Sequence, residues 1–310
     1  MTATGRPRAL VYRAIGLGDL LTGVPALKAL RRALPEHEIA LAAPDVQRPL
    51  VDLIAAVDRL IPTEELAPVS WTGPPPEVGI DLHGNGRASR TLIALLTPGR
   101  LIGYDRTSWD ASEHERVRWC RLITSHLGGE ADPDDVQIER PPLASPLPGA
   151  VIVHPGAASG ARRWPAERFA AVARWAEALG HPVALTGAPT ERDLALTVRR
   201  QAGLPHRSVL AGATDLATLA ALVAEASLVV SGDTGLAHLA SAYGTPSVQL
   251  FGPMPPSLWG PPAGPHTVIW HGRGVGNPHA VAPDPALLKI SVDEVIQAAR
   301  ERLAAGRTPQ

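Results

Sequence analysis

The chain has 310 residues, more than a single core usually organises, so two domains are expected. Hydrophobic residues make up 45% and charged residues 19%, which excludes a disordered chain, and a formal net charge of -1 gives no reason to expect nucleic-acid binding. The single Cys120 excludes an internal disulfide framework, no apolar run is long enough to span a bilayer, and residues 1–13 do not read as a signal peptide, so a soluble cytoplasmic enzyme is expected.

Taken in order, Arg8 to Ile15 reads as a buried strand, followed by Gly16-Leu17-Gly18-Asp19 and a helix from about Leu20 to Leu34. Ile39 to Ala43 reads as a strand, Arg48 to Val57 as a helix and Arg59 to Pro62 as a short strand. Glu77 to Leu82 is a strand running into Asp81-Leu82-His83-Gly84-Asn85-Gly86; Ser89 to Leu96 looks helical, Arg100 to Tyr104 extended, and the region around Val117 to Leu122 helical. Pro141 to Gly149 holds four prolines and a glycine and reads as a linker. The pattern then restarts with strands at Ala150 to Val153, Val183 to Thr186, Ser208 to Leu210, Leu228 to Ser231, Ser247 to Phe251 and His266 to Trp270. Helices are expected at Pro165 to Leu179, Thr190 to Ala202, Asp215 to Ala226 and Leu236 to Tyr243, with a capping box at Ser291 to Glu294 starting a last helix to Leu303.

Alternating strands and helices in both halves argue for two doubly wound parallel sheets. Ligands bind such sheets beyond the carboxyl ends of the strands, where Asp19, His83, His154, Gly187 and Asp233 all fall. The turn at Gly16 to Asp19 fails the dinucleotide spacing, because Leu21 stands at the third glycine position. Asp19 there reads as a helix cap, as a general base, or as both. The loop from His154 to Pro165 is rich in small residues and carries Arg162 and Arg163, which suit a diphosphate but also a solvated surface; it has no Gly-Lys-Ser/Thr. Trp164 is expected to pack at the base of that loop. At Ser231 to His238 a strand hands over to a helix whose first N–H groups lack partners, a corner suited to phosphate. Asp233 could be a plain N-cap, whereas His238 near a helix N-terminus is better explained by an anionic partner. Asp132-Pro133-Asp134-Asp135 reads as an acidic turn, and no metal site is expected.

These pieces resemble glycosyltransferase family 9, the ADP-heptose:lipopolysaccharide heptosyltransferases. The resemblance rests on Arg13 to Arg31 around Gly18-Asp19, on Arg162-Arg163-Trp164-Pro165, and on Gly232-Asp233-Thr234-Gly235 with His238, Gly244-Thr245-Pro246 and Phe251-Gly252-Pro253. It implies an α/β GT-B fold with two Rossmann-like doubly wound domains facing across a cleft. Residues 1–145 would bind the acceptor and residues 150–285 the nucleotide sugar, with the helix at about 291–305 packing back on the first domain. It implies an inverting, metal-independent transfer without a cofactor, of a heptose from an ADP-heptose-type donor to a hydroxyl of a glycan, glycolipid or small-molecule acceptor.

Carried over by position, Asp19 is the general base, and Gly18, His83 and Asn85 lie on the acceptor side. Ala158, Ser159, Arg162, Asp233, Thr234, Gly235 and His238 hold the diphosphate and nearby sugar, and Gly187 and Glu191 lie near the adenosine. Ala157 lines the same loop, and Arg162 stands where the family carries a phosphate-contacting Lys. A lipid-linked acceptor would bring the protein into peripheral contact with the inner face of the membrane, as part of lipopolysaccharide biosynthesis. The alternatives are a nucleotide-sugar epimerase of the same fold and a non-catalytic nucleotide-sugar binder.

Overall fold

The computed structural model describes residues 5–306. The chain divides into two compact units between Glu139 and Arg140, just before the proline-rich stretch.

The first unit is a five-stranded parallel sheet in the order β3-β2-β1-β4-β5. Its strands are β1 (Arg8–Tyr12), β2 (Glu38–Ala43), β3 (Arg59–Pro62), β4 (Val78–Asp81) and β5 (Arg100–Gly103). Its helices are α1 (Leu17–Thr22), α2 (Val24–Ala33), α3 (Arg48–Val51), α4 (Arg87–Ala94) and α5 (Glu115–Leu127). Leu10, Tyr12, Ala40, Ala42, Ile61 and Ile93 belong to its core. Strand order reverses between β1 and β4, so the loops leaving those two strands flank a topological switch point.

The second unit repeats the plan in the order β10-β9-β8-β6-β7, again all parallel. Its strands are β6 (Val151–His154), β7 (Val183–Leu185), β8 (Leu228–Gly232), β9 (Ser247–Phe251) and β10 (His266–Trp270). Its helices are α6 (Ala166–Ala178), α7 (Arg192–Ala202), α8 (Leu216–Ala224), α9 (Gly235–Tyr243), α10 (Pro256–Trp259), α11 (Pro285–Lys289) and α12 (Val292–Ala305). Every residue of β8 and β9 is buried, as expected of central parallel strands covered on both faces. The switch point lies between β6 and β8. Trp164 and Phe169 meet edge to face with ring centroids 5.0 Å apart, a geometry that adds about 0.5–1.5 kcal/mol to simple burial. Trp164 also donates to the Ile290 carbonyl at 3.1 Å and so sits at the base of its loop.

Several elements differ from expectation. The helix expected over Leu20 to Leu34 begins at Leu17 and breaks at Gly23. Pro25 has no N–H for the Leu21 carbonyl, so a continuous helix would lose a rung there. The helix expected over Arg48 to Val57 is one turn, Arg48–Val51. The strand expected at Ser208 to Leu210 is a 3-10 turn, His206–Ser208, followed by a single bridge from Val209 to Leu185. Asp134 and Asp135 are tied to Arg116 and Lys28, so the acidic turn is neutralised by neighbours.

The last helix also departs from what the family resemblance implies. Ser291 caps α12 by accepting from the Glu294 N–H at 3.2 Å. Its apolar face, Val295, Ala298, Ala299 and Leu303, joins the core of the second unit rather than that of the first. The spacing of apolar residues selects a face to bury but carries no address for it. Among the described residues, no helix is long and apolar enough to cross a membrane.

His266 on β10 shares a hydrogen bond with Ser247 Oγ at 2.8 Å, and burial pushes its pKa down from 6.5 to about 4. Between those values the unfolded chain binds a proton that the folded chain refuses, so this residue makes stability fall as pH drops from 6.5 towards 4. His266→Gln is expected to lose less melting temperature than the wild type between about pH 7 and about pH 5. Equal losses in thermal melts would remove His266 from the acid response.

Candidate active-site loops

In the first unit, the loop after β1 supplies Asp19. The N-cap of α1 is Gly16, not Asp19, which lies in the first turn of the helix. The capping reading of Asp19 is therefore corrected. The helix dipole there favours an ionised carboxylate. The turn is held through the main chain: the Asp19 carbonyl accepts from Arg13 Nε at 2.5 Å, Thr22 Oγ1 at 3.0 Å and the Gly23 N–H at 3.1 Å. A side chain at Gly16 would come within 3.1 Å of an Asp19 carboxylate oxygen, so glycine leaves that oxygen room. Gly18 is half-buried beside it.

The loop after β4 carries His83 and Asn85. It is anchored by Asp81, which is fully buried and accepts from Ser89 Oγ at 2.7 Å and from the His83 N–H at 3.0 Å. Burial pushes the Asp81 pKa up, while these hydrogen bonds oppose the shift. Burial pushes His83 below 6.5, so its imidazole is neutral at physiological pH. The ring stands edge-on to Tyr12, centroids 5.5 Å apart. Asn85 opens onto a groove of about 900 Å³ that Arg87, Arg90 and Arg106 also line. The sequence reading assigned no role to Asp81 or to Arg13. A carboxylate as the last residue of a buried strand is the signal that could have found the former.

In the second unit, the loop after β6 turns through a 3-10 segment, Gly160–Arg162. The two adjacent arginines part company. Arg163 turns back and donates twice to the Ala157 carbonyl, at 3.1 and 2.9 Å, stapling its own loop. Arg162 reaches the Asp233 carboxylate at 3.5 Å. Ala158 is exposed and Ala157 buried. Ser159 donates to the Pro278 carbonyl at 2.5 Å, which leaves its hydroxyl only acceptor capacity. Segment 277–284 braces the loop further: the Ala161 N–H donates to the Ala280 carbonyl and the Asp284 N–H to the Ala161 carbonyl.

Glu191 closes a 3-10 turn after β7 and accepts from the Ala188 N–H at 2.8 Å. Its carboxylate fills the space that a side chain at Gly156 would need, and its Cβ lies 3.1 Å from where a Cβ at Gly187 would stand. His154 shares a hydrogen bond with Thr186 Oγ1 at 3.0 Å; burial lowers its pKa and the nearby Glu191 opposes that shift.

The β8–α9 corner completes this set. Thr234, not Asp233, is the N-cap of α9, and its side chain makes no capping bond. Asp233 is 5% exposed, and its two carboxylate oxygens face Arg162 at 3.5 Å and His238 Nε2 at 4.0 Å. The N-cap reading of Asp233 is thus replaced by a buried carboxylate that faces the Arg162 guanidinium and the His238 imidazole. Gly235 is the first residue of the helix. Thr234 Oγ1 and the fully buried Ser231 Oγ have no hydrogen-bond partner among the described residues. A buried hydroxyl without a partner is costly and rare. Two of them beside a helix N-terminus, an arginine and a histidine fit an anionic ligand.

Residues 109–283 match the sequence profile of the family described as glycosyltransferase family 9 (heptosyltransferase). Lipopolysaccharide heptosyltransferase 1 of Pseudomonas aeruginosa is 36% identical over 290 residues, covering 82% of this chain and 81% of that protein. Lipopolysaccharide heptosyltransferase 3 of Escherichia coli is 32% identical over 124 residues, 39% of this chain and 36% of that protein. Lipooligosaccharide heptosyltransferase 2 of Haemophilus influenzae is 34% identical over 119 residues, with shares of 37% and 34%. The aligned stretch thus spans about a third of the length of the last two relatives.

Among solved structures, a glycosyl transferase family 9 protein from Veillonella parvula superposes with a TM-score of 0.77 at 21% identity, covering 96% of this chain and 97% of that one. The E. coli ADP-heptose lps heptosyltransferase II gives 0.75 at 22% identity, covering 97% and 100%. Likeness at that identity speaks for the fold, which is the GT-B arrangement of two Rossmann-like units. With the profile matched over more than half of the chain and a relative aligned over four-fifths of both proteins, this protein belongs to glycosyltransferase family 9.

Proposed function

We propose that this protein is an inverting glycosyltransferase that moves a heptose from an ADP-heptose-type donor onto a hydroxyl of a carbohydrate-containing acceptor. The observation that carries the reading is the β8–α9 corner, where Ser231 and Thr234 carry buried hydroxyls with no hydrogen-bond partner among the described residues and Arg162 and His238 flank Asp233, next to the N-cap of α9. Related E. coli heptosyltransferase WaaC structures contain ADP and ADP-2-deoxy-2-fluoro heptose, which is the ligand class such a corner would hold.

In this mechanism the acceptor hydroxyl oxygen attacks the anomeric carbon from the face opposite the diphosphate. Asp19 takes the hydroxyl proton as the new bond forms. The bond to the diphosphate breaks, its electron pair leaves with ADP, and Asp19 later returns its proton to water. Charge growing on the leaving group is met by the first N–H groups of α9, by Arg162 and by His238. These groups supply the positive charge that the leaving group needs, so the mechanism uses no metal ion. Asp233 does not touch the phosphates, since two anions would repel; it aims Arg162 and His238 at them. Gly18, His83 and Asn85 contact the acceptor. Ala157, Ala158, Ser159, Thr234 and Gly235 line the diphosphate, and Gly187 and Glu191 the adenosine. A lipid-linked acceptor would be met at the cytoplasmic face of a membrane.

The test is ligand preference followed by turnover. ADP is expected to raise the melting temperature more than UDP or GDP, with about 2.7 kcal/mol of stabilisation at a hundredfold excess over Kd. ADP-heptose is expected to release ADP only when a glycan acceptor is added. Equal shifts for all three nucleotides would sink the donor assignment. An isomerised sugar formed without acceptor would identify an epimerase instead.

A further inference from the structure

Arg13 is 1% exposed, one of the largest fully buried side chains in the molecule. A buried ion pair can often be replaced by apolar packing at no loss of stability, so its presence asks for a reason beyond folding. Its hydrogen bonds supply one. Nε donates to the Asp19 carbonyl at 2.5 Å, and Nη1 donates to the Leu82 carbonyl. Nη2 lies 3.1 Å from Thr22 Oγ1 and 3.4 Å from Glu115 Oε1.

The first two acceptors sit where the chain leaves the sheet at the switch point: the turn that carries Asp19 and the residue just before His83. Glu115 serves as the counter-ion. It is held in turn by Trp119 Nε1 at 2.6 Å and by an ion pair with Arg118. The indole of Trp119 lies against the Arg13 guanidinium, 5.0 Å to the ring centroid. Gly23 is shaped to this arrangement, since a Cβ there would stand 2.9 Å from Arg13 Nε.

We propose that Arg13 is a positioning residue for sugar transfer: one guanidinium, with the carboxylate of Glu115 that it shares with Arg118 as counter-ion, fixes the Asp19 turn and the His83 loop relative to each other. The inference rests on the reading of Asp19 as the base. The planar fork is what the task requires. It spans acceptors in different directions at once, whereas a lysine ammonium at the same depth is a point charge that cannot reach both carbonyls. Once the fork is lost, the base and the loop that flanks it are free to drift apart. A misplacement of about 1 Å costs on the order of 10²-fold in rate.

The experiment uses the full chain with ADP-heptose and a glycan acceptor. Arg13→Lys is expected to lower kcat about 10²-fold with the donor KM and the ADP affinity unchanged. Hydrogen exchange is expected to show residues 17–23 and 82–86 losing protection together, while the strands keep theirs. A wild-type kcat overturns the proposal, even if Tm falls, because Arg13 would then serve folding only. Loosening of one loop alone, or of neither, also overturns it. If Arg13→Lys fails to fold, Thr22→Val decides. That variant removes one acceptor of the fork and also the bond from the Thr22 hydroxyl to the Asp19 carbonyl, so the deciding readout is residues 82–86, on the other side of the fork: they should lose protection as kcat falls about fivefold or more, as loss of a hydrogen bond does, and unchanged protection there overturns the proposal. A wild-type chain that cannot transfer from ADP-heptose overturns the function proposed above, and the exchange measurement still decides whether Arg13 couples the two loops.

Discussion

Replacing Asp19 with Asn is expected to lower the rate of sugar transfer by about 10³-fold, within the range that general base catalysis supplies, and to leave ADP affinity unchanged. Asn is close to Asp in shape but cannot accept the hydroxyl proton. The turn should survive the change, because Arg13, Thr22 and Gly23 all bond to the main-chain carbonyl of Asp19. ADP binding should survive because Asp19 belongs to the first unit, whereas Arg162, Asp233 and His238 belong to the second. Single-turnover rates measure the first effect and calorimetry with ADP the second. A wild-type rate would remove Asp19 from the chemistry. A parallel loss of ADP affinity would mean that its role is binding.

Arg162→Ala is expected to weaken ADP binding by about 10- to 100-fold, the loss that follows from removing one hydrogen bond to a charged group. Arg162→Lys should fall between the two, since it keeps the charge but loses the fork. The alanine variant also takes from the buried Asp233 the cation beside one of its oxygens, so some loss of Tm should accompany the loss of affinity. Arg163→Ala is the control. Its guanidinium is spent on the Ala157 carbonyl, so the change should loosen the loop without a comparable loss of ADP affinity. Calorimetry on the three variants separates these outcomes. Wild-type affinity in Arg162→Ala would sink the assignment, and a larger loss in Arg163→Ala would transfer it to the neighbour.

Much of the fold was legible because its signals are local. The buried strands are short apolar runs bounded by turn residues, and their alternation with amphipathic segments requires parallel sheets in both halves. The corner at Ser231 to His238 and the turn at Gly16 to Asp19 could be found because strand-to-helix handovers are written in consecutive residues. The misses differ in cause. The break at Gly23 is local, since Pro25 stands in the sequence, whereas the bridge at Val209 exists only because Leu185 lies beside it in the fold. The destination of α12 depends on a groove built by residues more than a hundred positions earlier, Trp164 and Phe169 among them.

The sequence by itself determined which residue types could do chemistry and at which strand ends they stand, because periodicity and turn composition act over a few residues. Only the tertiary structure decided what each of those side chains does. It separated Arg162, facing Asp233, from Arg163, folded onto its own loop. It committed the Ser159 hydroxyl to the carbonyl of Pro278, and it put Arg13 beneath Asp19 with Glu115 as counter-ion. Asp233 for Arg162, Pro278 for Ser159 and Glu115 for Arg13 are partners distant in the chain, and a buried charge or hydroxyl takes whichever partner the packed fold brings within hydrogen-bonding reach.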